Sequence, residues 1–66
     1  MKNSIKVERA KKNYTQAQLS ELAKVSRQTI NAIELGKYVP SALLALRLAK
    51  IFETPVEEIF WLDENE

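Results

Sequence analysis

Apolar residues recur along this chain at helical spacing, in short runs divided by polar punctuation, with no strand-like alternation. Leu19 and Leu22 open one run and Ile30 and Ile33 mark the next. Leu44, Ala45, Leu48, Ala49 and Phe52 form a core-facing stripe in a third. A residue able to cap a helix stands before each run. Thr15 has Gln18 three positions on, the spacing of a capping box. Ser26 precedes Ile30, and Ser41 follows Pro40, which holds the preceding segment extended. Thr54-Pro55-Val56-Glu57 offers a cap, a proline at the first helical position and a box-closing glutamate.

With Asn3 or Ser4 starting the first helix, the pattern predicts five short helices over about 4–13, 16–23, 27–34, 42–52 and 55–60. Gly36, the only glycine, falls just after the third, where a left-handed residue ends a helix. The expected fold is all-α, a five-helix bundle with or without a short extended segment at the C-terminus. Nothing resembles a linker or a repeat, so residues 1–66 read as one domain. The tail Asp63 to Glu66 is expected to fray.

Composition narrows the function. A chain of 66 residues lies near the lower size limit for folding alone. It has no cysteine and no histidine, which removes disulfides, thiolate chemistry and the commonest general base and metal ligand. The carboxylates Glu57, Glu58 and Asp63 near the end are a weak metal site. An enzyme, a cofactor and a small-molecule pocket are therefore not expected. No apolar run reaches membrane-spanning length and the first residues offer no signal peptide, so a cytoplasmic location is expected.

The net charge of +1 hides an asymmetry. Residues 1–38 carry eight Lys/Arg against three Glu, and residues 39–66 carry two against six Asp/Glu. A basic front and an acidic back fit a polyanion held on one face.

The stretch from Thr15 to Glu34 sharpens this. Two short helices, joined by a turn of about three residues around Val25 and Ser26, have the geometry that lets the second enter a major groove. Leu19, Ala23, Val25, Ile30 and Ile33 would set the interhelical angle, with small Ser20 and Ala23 allowing close approach. Arg27, Gln28, Asn31 and Ala32 are then left facing outward. Arginine pairs with guanine O6/N7, glutamine or asparagine with adenine N6/N7, and an alanine methyl can meet the thymine methyl.

Thr15-Gln16, Leu19, Ser26-Arg27-Gln28-Thr29-Ile30, Ile33-Glu34, Gly36-Lys37 and Pro40-Ser41, in this order and spacing, resemble the Xre family of Cro- and phage-repressor-type helix-turn-helix regulators. The likeness runs from about Ile5 to Phe60. It implies the lambda-repressor-like bundle, double-stranded DNA as partner and a role in transcription. It implies that Gln16, at the start of helix two, meets a phosphate. Ser26, Arg27 and Gln28 match the groove-entering end of helix three, with Asn31 and Ala32 one turn on. Thr29 and Lys37 match positions near the DNA backbone. Tyr38 either adds a hydroxyl to a phosphate or packs over the turn. Arg9 and Glu34 match an internal ion pair. Three positions depart from the family pattern: Lys24 replaces a turn glycine, Glu8 an apolar residue, and Leu35 an asparagine.

In the back half, Leu43, Leu46, Trp61 and Leu62 exceed what so small a core needs, and an exposed patch of this kind marks a contact surface. Residues 42–62 are therefore expected to complete the core and form a symmetric homodimer, which would select a palindromic operator. A repressor is the expected function. The alternative is an antitoxin-type protein that binds DNA and a partner toxin.

Overall fold

A computed structural model describes residues 1–66. In chain order the elements are β1 (Lys2–Asn3), α1 (Ile5–Lys12), α2 (Gln16–Ala23), α3 (Arg27–Glu34), α4 (Ala42–Phe52), α5 (Val56–Ile59) and β2 (Phe60–Trp61). The three middle helices begin and end where the caps place them. Thr15 Oγ1 accepts the Gln18 N–H at 3.0 Å while Gln18 Oε1 accepts the Thr15 N–H at 2.8 Å, a complete capping box. Ser26 Oγ accepts from the Thr29 N–H and Ser41 Oγ from the Leu44 N–H. At the end of α3, Gly36 takes φ 75°. Its N–H bonds the Ile33 carbonyl and the Lys37 N–H bonds the Ala32 carbonyl, the paired closure that a left-handed glycine permits.

The ends of the chain depart from the expected pattern. The short extended segment allowed for at the C-terminus is present as β2, and it pairs with the start of the chain in a two-residue antiparallel ribbon, Lys2 opposite Trp61 and Asn3 opposite Phe60. Two residues are too few to show a period, so the ribbon has no sequence signature. The fifth helix is shorter than expected, and Thr54 is not its cap. Thr54 Oγ1 instead faces Glu8 Oε1 at 3.2 Å and donates to it, with the Phe52 carbonyl 3.0 Å away as a second acceptor, and Pro55 occupies the cap position. In the tail the Asp63 N–H donates to Glu66 Oε1 and the Glu66 N–H to the Asp63 carbonyl, closing an exposed turn.

Helix α1 has its phase settled by Glu8. That side chain is buried, held by Thr54 on one oxygen and Lys11 on the other, while Val7 is exposed. A buried carboxylate is tolerated here because both oxygens have partners. Ser4 does not cap α1 with its side chain, which donates to the Glu58 carbonyl; Asn3 Oδ1 accepts the Ile5 N–H instead.

One core serves all five helices. Ile5, Leu19, Ala23, Ile30, Ile33, Leu44, Leu48, Phe52, Ile59 and Phe60 form a single buried cluster. Leu22 is exposed, because Leu19 and Ala23 set the side of α2 that faces the cluster. Truncating a fully buried leucine or isoleucine to alanine costs about 2–5 kcal/mol. A core this small supplies a net stability of only about 3–5 kcal/mol. Each fully buried leucine and isoleucine of the cluster thus contributes a large share of the stability of the fold.

Candidate nucleic-acid interface

Helix α3 buries Ile30 and Ile33, three residues apart, and this fixes which side of it reaches solvent. Arg27, Gln28 and Asn31 are all exposed on that opposite side. Together with Gln16 at the start of α2 they line a shallow, wholly polar depression of about 330 Å³. Four residues expected to meet DNA are therefore adjacent in space, although 15 positions separate the first from the last. Ala32 lies beside them, half-buried and outside the lining of the depression.

Arg27 and Lys37 take part in no intramolecular ion pair, so both cations face water. Lys37 and Tyr38 are exposed on the loop that follows α3. Ser26 and Thr29 are tied to one another: their hydroxyls lie 2.9 Å apart and Ser26 caps the helix through the Thr29 N–H. The same hydroxyl that would approach a phosphate is thereby kept at the mouth of α3.

Behind the depression runs a charged network. Arg9 donates through Nε to Glu34 Oε2 at 2.9 Å and through a terminal nitrogen to Oε1 at 3.2 Å, a two-bond fork. Its other terminal nitrogen donates to the Tyr14 carbonyl. The Arg9 and Glu34 side chains are 17% and 8% exposed, so this is a largely buried pair linking α1 to α3. Gln16 Nε2 then donates to Glu34 Oε1 at 3.3 Å and to Asn31 Oδ1 at 3.1 Å. This second layer was not legible beforehand, since sequence spacing does not say how two amides on different helices turn toward each other.

The residues expected at a subunit contact are exposed. Leu43 and Leu46 project from α4 at 61% and 60% exposure, opposite its buried stripe of Leu44, Leu48 and Phe52. On and beyond the terminal ribbon, Trp61 is 43% and Leu62 70% exposed. Leu35 is a further exposed apolar residue. It lines a cleft of about 460 Å³ with Trp61, Gly36 and the β1 residues, an association visible only once β1 and β2 are paired. No helix is long and apolar enough to cross a membrane.

Comparison with known proteins agrees with this geometry. The helix-turn-helix family model matches residues 5–59. An uncharacterized HTH-type transcriptional regulator of Bacillus subtilis is 52% identical over 65 residues, which cover 98% of each chain. One from Methanocaldococcus jannaschii is 50% identical over 66 residues, the whole of both chains. Another, from Archaeoglobus fulgidus, is 46% identical over 66 residues, all of this chain and 93% of its own.

Proposed function

The chain belongs to the helix-turn-helix family of DNA-binding transcriptional regulators, and from that premise we propose that it is a sequence-specific repressor binding a palindromic operator as a homodimer. The observation that carries the reading is the depression formed by Gln16 of α2 with Arg27, Gln28 and Asn31 of α3, lined by polar residues only.

Affinity comes from the basic front half. Lysines and arginines there displace counterions from phosphates, a contribution that is large, independent of sequence and lost with salt. Lys37, with Ser26, Thr29 and Tyr38, sits at the rim of α3 as a backbone contact. Sequence choice comes from the groove-facing side chains. Arg27 offers a planar fork suited to guanine O6 and N7, and Gln28 an amide suited to adenine N6 and N7. Ala32 offers a methyl beside them. The acidic residues of the back half, Glu53, Glu57, Glu58, Asp63, Glu64 and Glu66, point the electrostatic field so that only one face attracts DNA.

The exposed Leu43, Leu46, Trp61 and Leu62 support a twofold interface. Two copies related in that way present two α3 helices about 34 Å apart, one turn of the duplex. A protein of this size occupying a promoter acts most simply by excluding polymerase, hence repression.

Selection of bound duplexes from a random pool tests the whole reading. The expected product is an inverted repeat whose half-site centres lie about 10 base pairs apart. Enrichment without any shared sequence would contradict specific readout, and a single unrepeated half-site would contradict the dimer.

A further inference from the structure

We propose that Lys6, in the first turn of α1, contacts the sugar–phosphate backbone of the duplex. The inference rests on the reading above, that the outer face of α3 meets DNA, and extends the footprint to a further helix.

Helix α1 carries four cations, Lys6, Arg9, Lys11 and Lys12, and all but the first are engaged within the fold. Arg9 grips both oxygens of Glu34. Lys11 pairs with Glu8 at 3.2 Å and Lys12 with Glu53 at 3.4 Å. Lys6 is exposed and belongs to no ion pair. Its place in the helix adds to this. The first turn of a helix presents N–H groups without intrahelical partners and carries positive partial charge, so a cation there is slightly repelled. The charge of Lys6 is therefore not held by the fold and stays available to an anion.

The paired side chains fix the direction in which Lys6 faces. At roughly 100° per residue, the order around α1 is Lys6, Arg9, Lys12, Glu8, Lys11. Glu8 and Lys12 meet the acidic back half, through Thr54 and Glu53. Arg9 instead reaches Glu34 on α3, whose Oε1 accepts from Gln16 Nε2 at the depression. Lys6 precedes Arg9 by three residues and is its neighbour on the helix surface, on the side away from Lys12 and Glu8. It therefore belongs to the flank of α1 nearer the depression and not to the flank that meets the acidic half. Glu8 and Glu34, two of the three glutamates in residues 1–38, are already neutralised by Lys11 and Arg9, so neither cancels the Lys6 charge. An uncancelled ammonium in this place suits a phosphate, which it meets as a point charge and without reading a base.

The experiment measures binding of the parent, Lys6→Ala and Lys50→Ala to the selected operator and to an unrelated duplex over about 50–200 mM salt. Lys50 is an exposed lysine on α4, also outside any ion pair, and controls for net charge. Lys6→Ala should weaken binding to both duplexes about equally and lower the salt slope by about one. Over that rise in salt it should lose roughly three- to fourfold less affinity than the parent loses. Lys50→Ala should keep the slope of the parent, and the Tm of Lys6→Ala should be no lower than the parent's. Uncharged methylphosphonates placed singly along the operator locate the contact: one position should weaken the parent and leave Lys6→Ala unaffected. If Lys6→Ala fails to fold, Lys6→Gln is measured in the same way. An unchanged slope in the Lys6 variant, or an equal loss of slope in Lys50→Ala, overturns the inference and leaves the assignment of α3 standing. So does a set of methylphosphonates that weaken parent and Lys6 variant alike at every position. A parent that binds no duplex overturns the reading of α3 and this inference together.

Discussion

Asn3 donates its side-chain amide to the carbonyl of Ile33 at 2.8 Å, tying the first strand to the last turn of α3. Its oxygen accepts the Ile5 N–H, and its backbone pairs with Phe60. One polar residue thus joins the start of α1, the end of α3 and the end of the chain. Asn3→Ala removes two partly buried hydrogen bonds at once. It should cost about 1–2 kcal/mol, with Tm lowered by roughly 4–8 °C for each kcal/mol in a domain of this size. Thermal denaturation of the two proteins checks it.

Arg9 and Glu34 form the most deeply buried ion pair. Removing one partner leaves an uncompensated carboxylate in the interior. Arg9→Met should therefore cost about 3 kcal/mol or more, most of the stability that a core this small supplies. Replacing both, as Arg9→Met with Glu34→Leu, removes the stranded charge and should recover most of the loss. Urea titration of the single and double variants measures the difference.

Lys24 ends α2 with φ 61°, a left-handed conformation that a side chain resists. Lys24→Gly should raise stability by about 0.5–1 kcal/mol. Ala17→Gly, on the exposed face of the same helix, should lower it by about 1 kcal/mol. The opposite signs, read from denaturant midpoints, separate a conformational effect from a general effect of glycine.

These cases also show how far the sequence was readable. α2, α3 and α4 were legible to the residue, because Thr15, Ser26 and Ser41 cap them locally and Gly36 closes α3. Arg27, Gln28 and Asn31 were legible as an outward set because Ile30 and Ile33 fix the helix phase. The ribbon was not, since it joins residues 2–3 to residues 60–61 and rests on pairing at long range. Thr54 shows a local signal overridden: its hydroxyl could cap α5 or serve the buried Glu8, and burial makes the second need stronger. The Gln16–Asn31 bond depends on Glu34, three residues beyond Asn31 on α3, and on how Arg9 holds it.

The dimer has its own test. Sedimentation of the parent protein should give a mass twice that of the 7.6 kDa chain. Trp61→Lys or Leu62→Lys should halve it and weaken operator binding, since each half-site alone holds fewer contacts. A parent that sediments as a monomer at every concentration would contradict the twofold interface.

The central claim is that the exposed side chains of α3 choose the DNA sequence. It is tested most directly by titrating the parent, Arg27→Ala, Gln28→Ala and Lys37→Ala against the selected operator and an unrelated duplex at several salt concentrations. Arg27→Ala and Gln28→Ala should each remain folded and lose about 1–3 kcal/mol of discrimination between the two duplexes. Lys37→Ala should weaken binding to both about equally and reduce the salt slope by about one. If Arg27→Ala and Gln28→Ala prefer the operator as strongly as the parent does, the sequence is read elsewhere and the assignment of α3 is wrong.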